Sequence, residues 1–288
     1  MGLIMRTVYV NGEYVSEEDA KVSIFDRGFL FADGVYEVTS VLDGKLVDFP
    51  GHCARLRRSL GELAMGLPMS DEDLLAIHRR LVVENKLQEG LIYLQVTRGV
   101  AERDFLFPPE ETPRTLVLFT QAKPLIQSAL AARGQKVVTV EDLRWSRCDI
   151  KTVQLLYPSM AKMEAKSKGA DDAWLVRDGA VTEGSSNNAY IVLEDGAIVT
   201  RDLSNVILSG ITRRAVLKCA RTLQMKVVER AFSVEEALAA VEAFTTSASG
   251  FVTPVVEIDG QKIGDGMPGP TAKHLREVYI AEMRKAAI

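Results

Sequence analysis

At 288 residues, with 47% hydrophobic and 26% charged side chains, the chain has an ordinary globular composition and is long enough for two domains. Its 35 basic and 39 acidic residues leave a net charge of -4, which argues against nucleic acid or a membrane surface as a partner. Cys53, Cys148 and Cys219 are too scattered for a disulfide framework or a zinc site, so reduced thiols in a cytoplasmic protein are expected.

The N-terminal stretch lacks the pattern of a signal peptide, and no apolar run approaches the ~18 residues of a membrane helix. Arg6–Val10 and Glu13–Val15 flank Asn11-Gly12, a two-residue turn signal, and predict a hairpin. Lys21–Ile24 is expected to extend the sheet. Val35–Leu42 is a further strand, and Leu46–Phe49 should pair back across the turn Asp43-Gly44-Lys45. Leu56, Leu60 and Leu63 mark a helix over His52–Ala64. A second helix should start after Ser70, where Asp71 and Glu72 suit a first turn. Leu91–Thr97 and Thr115–Thr120 read as buried strands. Residues 1–122 form a first α/β domain on this reading, and 123–134, with Pro124 and Gly134, a linker.

Residues 135–288 form the larger second domain. Strands are predicted at Lys136–Glu141, Ala173–Arg177, Ala189–Leu193, Ile198–Thr200, Ala243–Thr246 and Val252–Ile258. Helices are predicted at Ser159–Ser167, Thr212–Leu223, Ser233–Ala239 and Ala272–Lys285. Helices and strands do not alternate strictly, so the class is α+β and not a doubly wound sheet.

Four stretches carry groups suited to chemistry, and each has an ordinary reading beside it. Lys151 closes Arg144–Lys151, RWSRCDIK; a lone lysine is usually a surface lysine, but a buried one can serve as an amine nucleophile. Thr182–Asn188 holds Glu183 among small polar side chains; it is either a loop before a strand or a carboxylate poised against a protonated ring nitrogen. Leu208–Arg213 sets Gly210 before a helix start; it is an ordinary helix entry or a phosphate site. Thr245–Gly250 is a strand connection or a hydroxyl-rich phosphate loop. Together they supply an amine, an acid for a ring nitrogen and two phosphate-binding loops, which a pyridoxal-phosphate (PLP) enzyme requires. A hydrolase is a poor alternative, because Gly184-Ser185-Ser186 is not a nucleophile elbow.

Asp26-Arg27-Gly28, Phe31–Glu37, Cys148–Lys151, Val181–Asn187 and Ile207–Arg213 resemble, in order and over nearly the whole chain, the fold-type IV PLP aminotransferases, and within them the D-amino acid aminotransferases most. The resemblance implies a two-domain α+β fold, with a small N-terminal domain and a larger pseudo-barrel domain. It implies Lys151 as the lysine bound to PLP and as proton shuttle, with Glu183 paired to the ring nitrogen. Arg55, Gly210, Ile211, Thr212, Ser247 and Ala248 would hold the phosphate, Leu208 would pack on the ring, and Ser185 and Ser186 would lie beside the cofactor. Tyr36, Phe31, Arg103 and Phe105 would contact substrate. A homodimer is implied, with the site between the domains and the partner's loop at 103–107 helping to line it. Substrates would be a D-amino acid and a 2-oxo acid. Branched-chain aminotransferases, (R)-selective amine transaminases and aminodeoxychorismate lyases are the related alternatives.

One departure stands out. D-amino acid aminotransferases typically read Arg-x-His where this chain has Arg103-Asp104-Phe105. Arg103 alone can hold a carboxylate. Asp104 is expected to pair with it and compete with substrate, while Phe105 makes the pocket more apolar.

Overall fold

The computed structural model describes residues 5–67 and 69–288, and its chain divides into two compact units. One unit comprises the chain up to Pro124 together with Ile150–Gln154 and Arg284–Ile288; the other comprises Leu125–Asp149 and Leu155–Met283. This division differs from the expected one, in which 135–288 stood together, because two short segments return to the first unit.

The first unit is built on β1 (Thr7–Val10), β2 (Glu13–Ser16), β3 (Gly34–Leu42), β4 (Lys45–Leu46), β5 (Glu89–Thr97) and β6 (Thr115–Ala122), with α1 (Arg27–Phe31), α2 (Phe49–Glu62) and α3 (Asp71–Glu84). Its sheet is antiparallel in the order β2-β1-β6-β5-β3-β4. Alternation divides the faces. Val35, Ile92, Leu94, Val96, Leu116 and Leu118 enter one core with Leu56 and Leu60 of α2 and Leu74, Ile77 and Leu81 of α3. Tyr36, Tyr93 and Phe119 belong to the opposite alternation and stack on one another. Ser70 caps α3 by accepting from the Asp73 N–H at 3.1 Å.

The strand expected at Lys21–Ile24 is absent; this exposed stretch leads instead into Asp26, whose carboxylate accepts from Gly28 N–H and starts α1. Nor does the return strand reach Phe49. Lys45–Leu46 pairs and Val47 N–H still donates to Ser40 O at 2.9 Å, but there the return stops, because Asp48 adopts φ 45° and accepts from Gly51 N–H, opening α2 with Pro50 in its first turn. The proposed linker region contains α4 (Ala129–Arg133).

The second unit carries β7 (Gln135–Glu141), α5 (Leu156–Ser167), β8 (Asp172–Arg177), β9 (Ala180–Gly184), β10 (Asn188–Val192), β11 (Ile198–Thr200), α6 (Ile211–Thr222), β12 (Val227–Glu229), α7 (Val234–Leu238), β13 (Glu242–Ser247), β14 (Phe251–Ile258), β15 (Gln261–Lys262) and α8 (Pro270–Ala286) as far as Met283. The sheet runs β12-β11-β10-β13-β14-β7-β8-β9, with β15 on β14, and mixes parallel and antiparallel pairs. β9 ends this order, yet only Ser185–Asn187 separate it from β10 near the other end. The sheet therefore curls into a half-barrel, and Trp174, Val181, Ile191, Val199, Val255 and Phe232 fill it.

Candidate active site

Lys151 belongs to the first unit although it lies far along the chain. Its segment runs beside β3 as a short antiparallel addition: Tyr36 N–H donates to Lys151 O at 3.0 Å, and Val153 N–H to Gly34 O at 3.1 Å. Lys151 N–H donates to Ser59 Oγ of α2 at 3.3 Å. The backbone is thus fixed on both sides, and the half-buried side chain sets Nζ 3.9 Å from the Tyr36 ring centroid. Tyr36 is itself stacked on Tyr93 at 5.6 Å, and Tyr93 on Phe119 at 4.9 Å.

Arg55 faces Glu37 of β3 through a two-pronged pair, with Nε and one terminal nitrogen each 2.7 Å from a carboxylate oxygen, while His52 Nδ1 lies 2.7 Å from the same carboxylate. Burial alone would raise the Glu37 carboxyl, but Arg55 and His52 overcome it and hold Glu37 well below the ordinary carboxylate range. Phe31 ends α1 and packs edge-on against Phe105 at 5.7 Å. Arg103, exposed, has its guanidinium 5.5 Å from the Phe31 ring and 5.7 Å from Phe105. The ion pair expected between Arg103 and Asp104 does not form; Asp104 instead accepts from Leu106 N–H at 3.0 Å, closing its own turn.

The other candidate groups lie in the second unit. Glu183, at the end of β9, is buried; its carboxylate meets Arg144 at 2.6 Å and accepts from Asn188 Nδ2 at 3.0 Å and from Leu208 N–H at 3.1 Å. Asp142 in turn holds Arg144 at 2.8 Å. Burial raises Glu183 above the usual carboxylate value, and Arg144 only partly offsets it. Asn188 also donates to Leu208 O at 2.9 Å. Two residues on, Gly210 opens α6 with no side-chain cap, leaving the Ile211 and Thr212 end of the helix without a capping side chain. Asn188 stands opposite Thr246 across β10 and β13, which carries the same neighbourhood to Ser247 and Ala248. Ser185 is tied down by donating to Asp172, while Ser186 is exposed on the turn.

These groups fit PLP chemically. Burial keeps the Glu183 carboxyl raised despite Arg144, so a protonated ring nitrogen would be a favourable partner for its charged form, and the uncapped start of α6 suits a phosphate.

The family pattern of class IV amino-transferases matches residues 34–258. The chain belongs to the class IV aminotransferases. It is 42% identical over 275 residues to a D-alanine aminotransferase of Staphylococcus aureus (strain MSSA476), spanning 96% of this chain and 97% of that protein. Its fold matches the T.th. branched-chain amino acid aminotransferase with pyridoxamine 5'-phosphate, with a TM-score of 0.89, 27% identity and 98% and 95% of the two chains covered. An Escherichia coli branched-chain aminotransferase shares the fold at 22% identity, with a TM-score of 0.88 and 97% and 95% covered. The expected fold-type IV architecture is therefore the one found.

In this aminotransferase the sequence reading overlooked Arg144, Asn188, Glu37, His52, Ser59 and Tyr93. Arg144 and Asn188 lay inside stretches that drew notice for other residues. Their signal was a charge and an amide flanking Lys151 and Glu183, but the Arg144–Glu183 pair spans 39 residues of sequence.

Proposed function

We propose that this class IV aminotransferase moves an amino group between a D-amino acid and a 2-oxo acid, of the D-alanine and 2-oxoglutarate type. The observation that carries the reading is a lysine amine fixed against the Tyr36 ring by its own backbone hydrogen bonds. The D-alanine aminotransferases at 40–42% identity support the substrate class.

PLP, when bound, supplies an electron sink for the bond broken at the substrate α-carbon. Lys151 would hold the cofactor through Nζ and, once the substrate amine has displaced it, its freed amine would take the α-proton and return it. Tyr36 orients the amine. Glu183 offers its carboxylate to the ring nitrogen, and Arg144 keeps that carboxylate available for ionic pairing. Leu208 would pack on the ring. Arg55, Gly210, Ile211, Thr212, Ser247 and Ala248 would bind the phosphate, with Ser185 and Ser186 shaping the β9–β10 turn beside Glu183. Arg103 holds the substrate carboxylate between Phe31 and Phe105.

The same reading includes a homodimer. Phe105, Leu106 and Phe107 are 79%, 76% and 61% exposed, and Ile24, Phe25 and Phe29 are exposed as well, apolar side chains that a second copy would cover. Three buried free cysteines suit the cytoplasm, and no helix among the described residues is long and apolar enough to cross a membrane.

The test is a panel of amino donors. D-alanine with 2-oxoglutarate should be turned over well and L-leucine poorly. Turnover of L-leucine alone would move the enzyme to the branched-chain group, and turnover confined to (R)-1-phenylethylamine with pyruvate would make it an amine transaminase.

A further inference from the structure

The loop bearing Arg103 and Phe105 contains no helix or strand, yet its backbone is held by a buried ionic group. Arg27, the first residue of α1, donates Nε to Asp33 Oδ2 at 2.8 Å. One of its terminal nitrogens donates to Asp104 O at 2.7 Å and Leu106 O at 3.4 Å. Arg98, just beyond β5, donates Nε to the same Asp33 oxygen at 2.8 Å and a terminal nitrogen to Leu63 O at 2.8 Å. Its guanidinium lies 3.6 Å from the Phe107 ring centroid. Both arginines are only 3% exposed.

Two buried guanidinium groups thus share one carboxylate. Burying a charge is costly unless its surroundings compensate it. Here the surplus positive charge is met by carbonyl dipoles and ring faces. The Phe31 ring lies 4.4 Å from the Arg27 guanidinium; apart from that ring and the Leu63 carbonyl, these groups come from residues 104–107. The loop and the ionic group therefore stabilise each other.

We propose that Arg27, with Asp33 and Arg98, is a positioning residue that fixes the 103–107 loop and so sets how tightly the substrate carboxylate is held. This rests on the reading of that loop as the carboxylate-binding segment. The charges indicate which variant is clean. Asp33→Asn strands two like charges in the interior. Arg27→Gln leaves a balanced Asp33–Arg98 pair, so the fold is retained while the loop loses its two carbonyl contacts. Arg27→Lys restores a charge without the planar fork that reaches Asp33 and both carbonyls at once.

The experiment compares wild-type holoenzyme with Arg27→Gln, Arg27→Lys and Phe107→Leu, the last leaving every ion pair in place. Amide hydrogen exchange of the peptide spanning 100–108 is read beside KM and kcat for D-alanine. Arg27→Gln should speed exchange in that peptide by about tenfold and raise KM about tenfold, with kcat nearly unchanged. Arg27→Lys should recover part of both effects, and Phe107→Leu should speed exchange in the same peptide. Unchanged exchange there in Arg27→Gln and Phe107→Leu overturns the anchoring. Faster exchange with unchanged KM also overturns the proposal, and identifies the carboxylate role of the loop as the part that failed.

Discussion

Lys151 and Tyr36 are joined twice: the Tyr36 N–H donates to the Lys151 carbonyl at 3.0 Å, and Lys151 Nζ stands 3.9 Å from the Tyr36 ring centroid. A residue whose backbone and side chain are both set by one neighbour has little freedom left to misplace its amine. Lys151→Ala should abolish transamination and the covalent attachment of PLP, read by intact mass after mild reduction. Turnover surviving in that variant would end the assignment of the lysine.

Glu183 depends on Arg144. Burial already raises the Glu183 carboxyl, and Arg144 at 2.6 Å is the charge that opposes the rise. Arg144→Gln should therefore raise Glu183 further, so that it ionises only at higher pH. The acid side of the kcat profile should move upward in pH, and Glu183→Gln should lower kcat by about 10–100-fold. An unshifted acid limb in Arg144→Gln would separate Arg144 from the chemistry.

Gly210 has no room for a side chain. A Cβ there would lie 2.1 Å from Asn188 Oδ1, and Asn188 is held by both Glu183 and Leu208. Overpacking of this kind costs about 1–3 kcal/mol. Gly210→Ala should weaken PLP retention by about tenfold or more, followed by dialysis of the holoenzyme. Retention equal to wild type would show that the Asn188 amide moves freely.

The first unit carries two buried groups whose titration destabilises it in acid. Burial lowers His78 from 6.5 to about 4, with Nδ1 2.8 Å from Leu74 O. Its proton is bound more tightly in the unfolded chain, so stability falls as pH drops from 6.5 toward 4. Arg55 and His52 depress Glu37 against the effect of its burial, so its contribution is present above 4.5 and is lost as pH falls below that value. Thermal melting against pH should show both stages. His78→Gln should flatten the upper one and Glu37→Gln the lower; curves parallel to wild type would remove these groups as the cause.

Phe105→His should restore a second donor beside Arg103. KM for D-alanine should fall about tenfold at about pH 6, and the gain should fade above the ordinary histidine value of about 6.5 as the ring loses its charge. An unchanged KM would mean that this position does not face the carboxylate.

Much of the fold was legible because local signals agreed with it. Asn11-Gly12 gave the hairpin turn, with both residues at positive φ, and Ser70 gave the start of α3. Lys151, Glu183 and Gly210 were legible as chemical groups in sequence stretches. What escaped was set by distant pairing. α1, five residues long, is too short to display a period, and nothing around Ile150–Gln154 marks it as a companion to β3. Arg144 reads as one basic residue among several until the curl of the second sheet brings it to Glu183. Nothing in the sequence pairs Arg27 with Arg98, 71 positions apart, and only their common contact with Asp33 brings them together as a buried group.

The path of the chain also has a consequence for the order of synthesis. The first unit draws its lysine-bearing segment from residues 150–154, and Leu46 exchanges two backbone hydrogen bonds with Ile288. A nascent chain that has reached Pro124 holds six strands and two long helices but has neither the amine nor the partner for Leu46. Its sheet must wait, with the edge of β3 uncovered, while the second unit is made. The same threading means that a fragment cut at the apparent boundary would lack Lys151, so the two halves cannot be exchanged between relatives as independent modules.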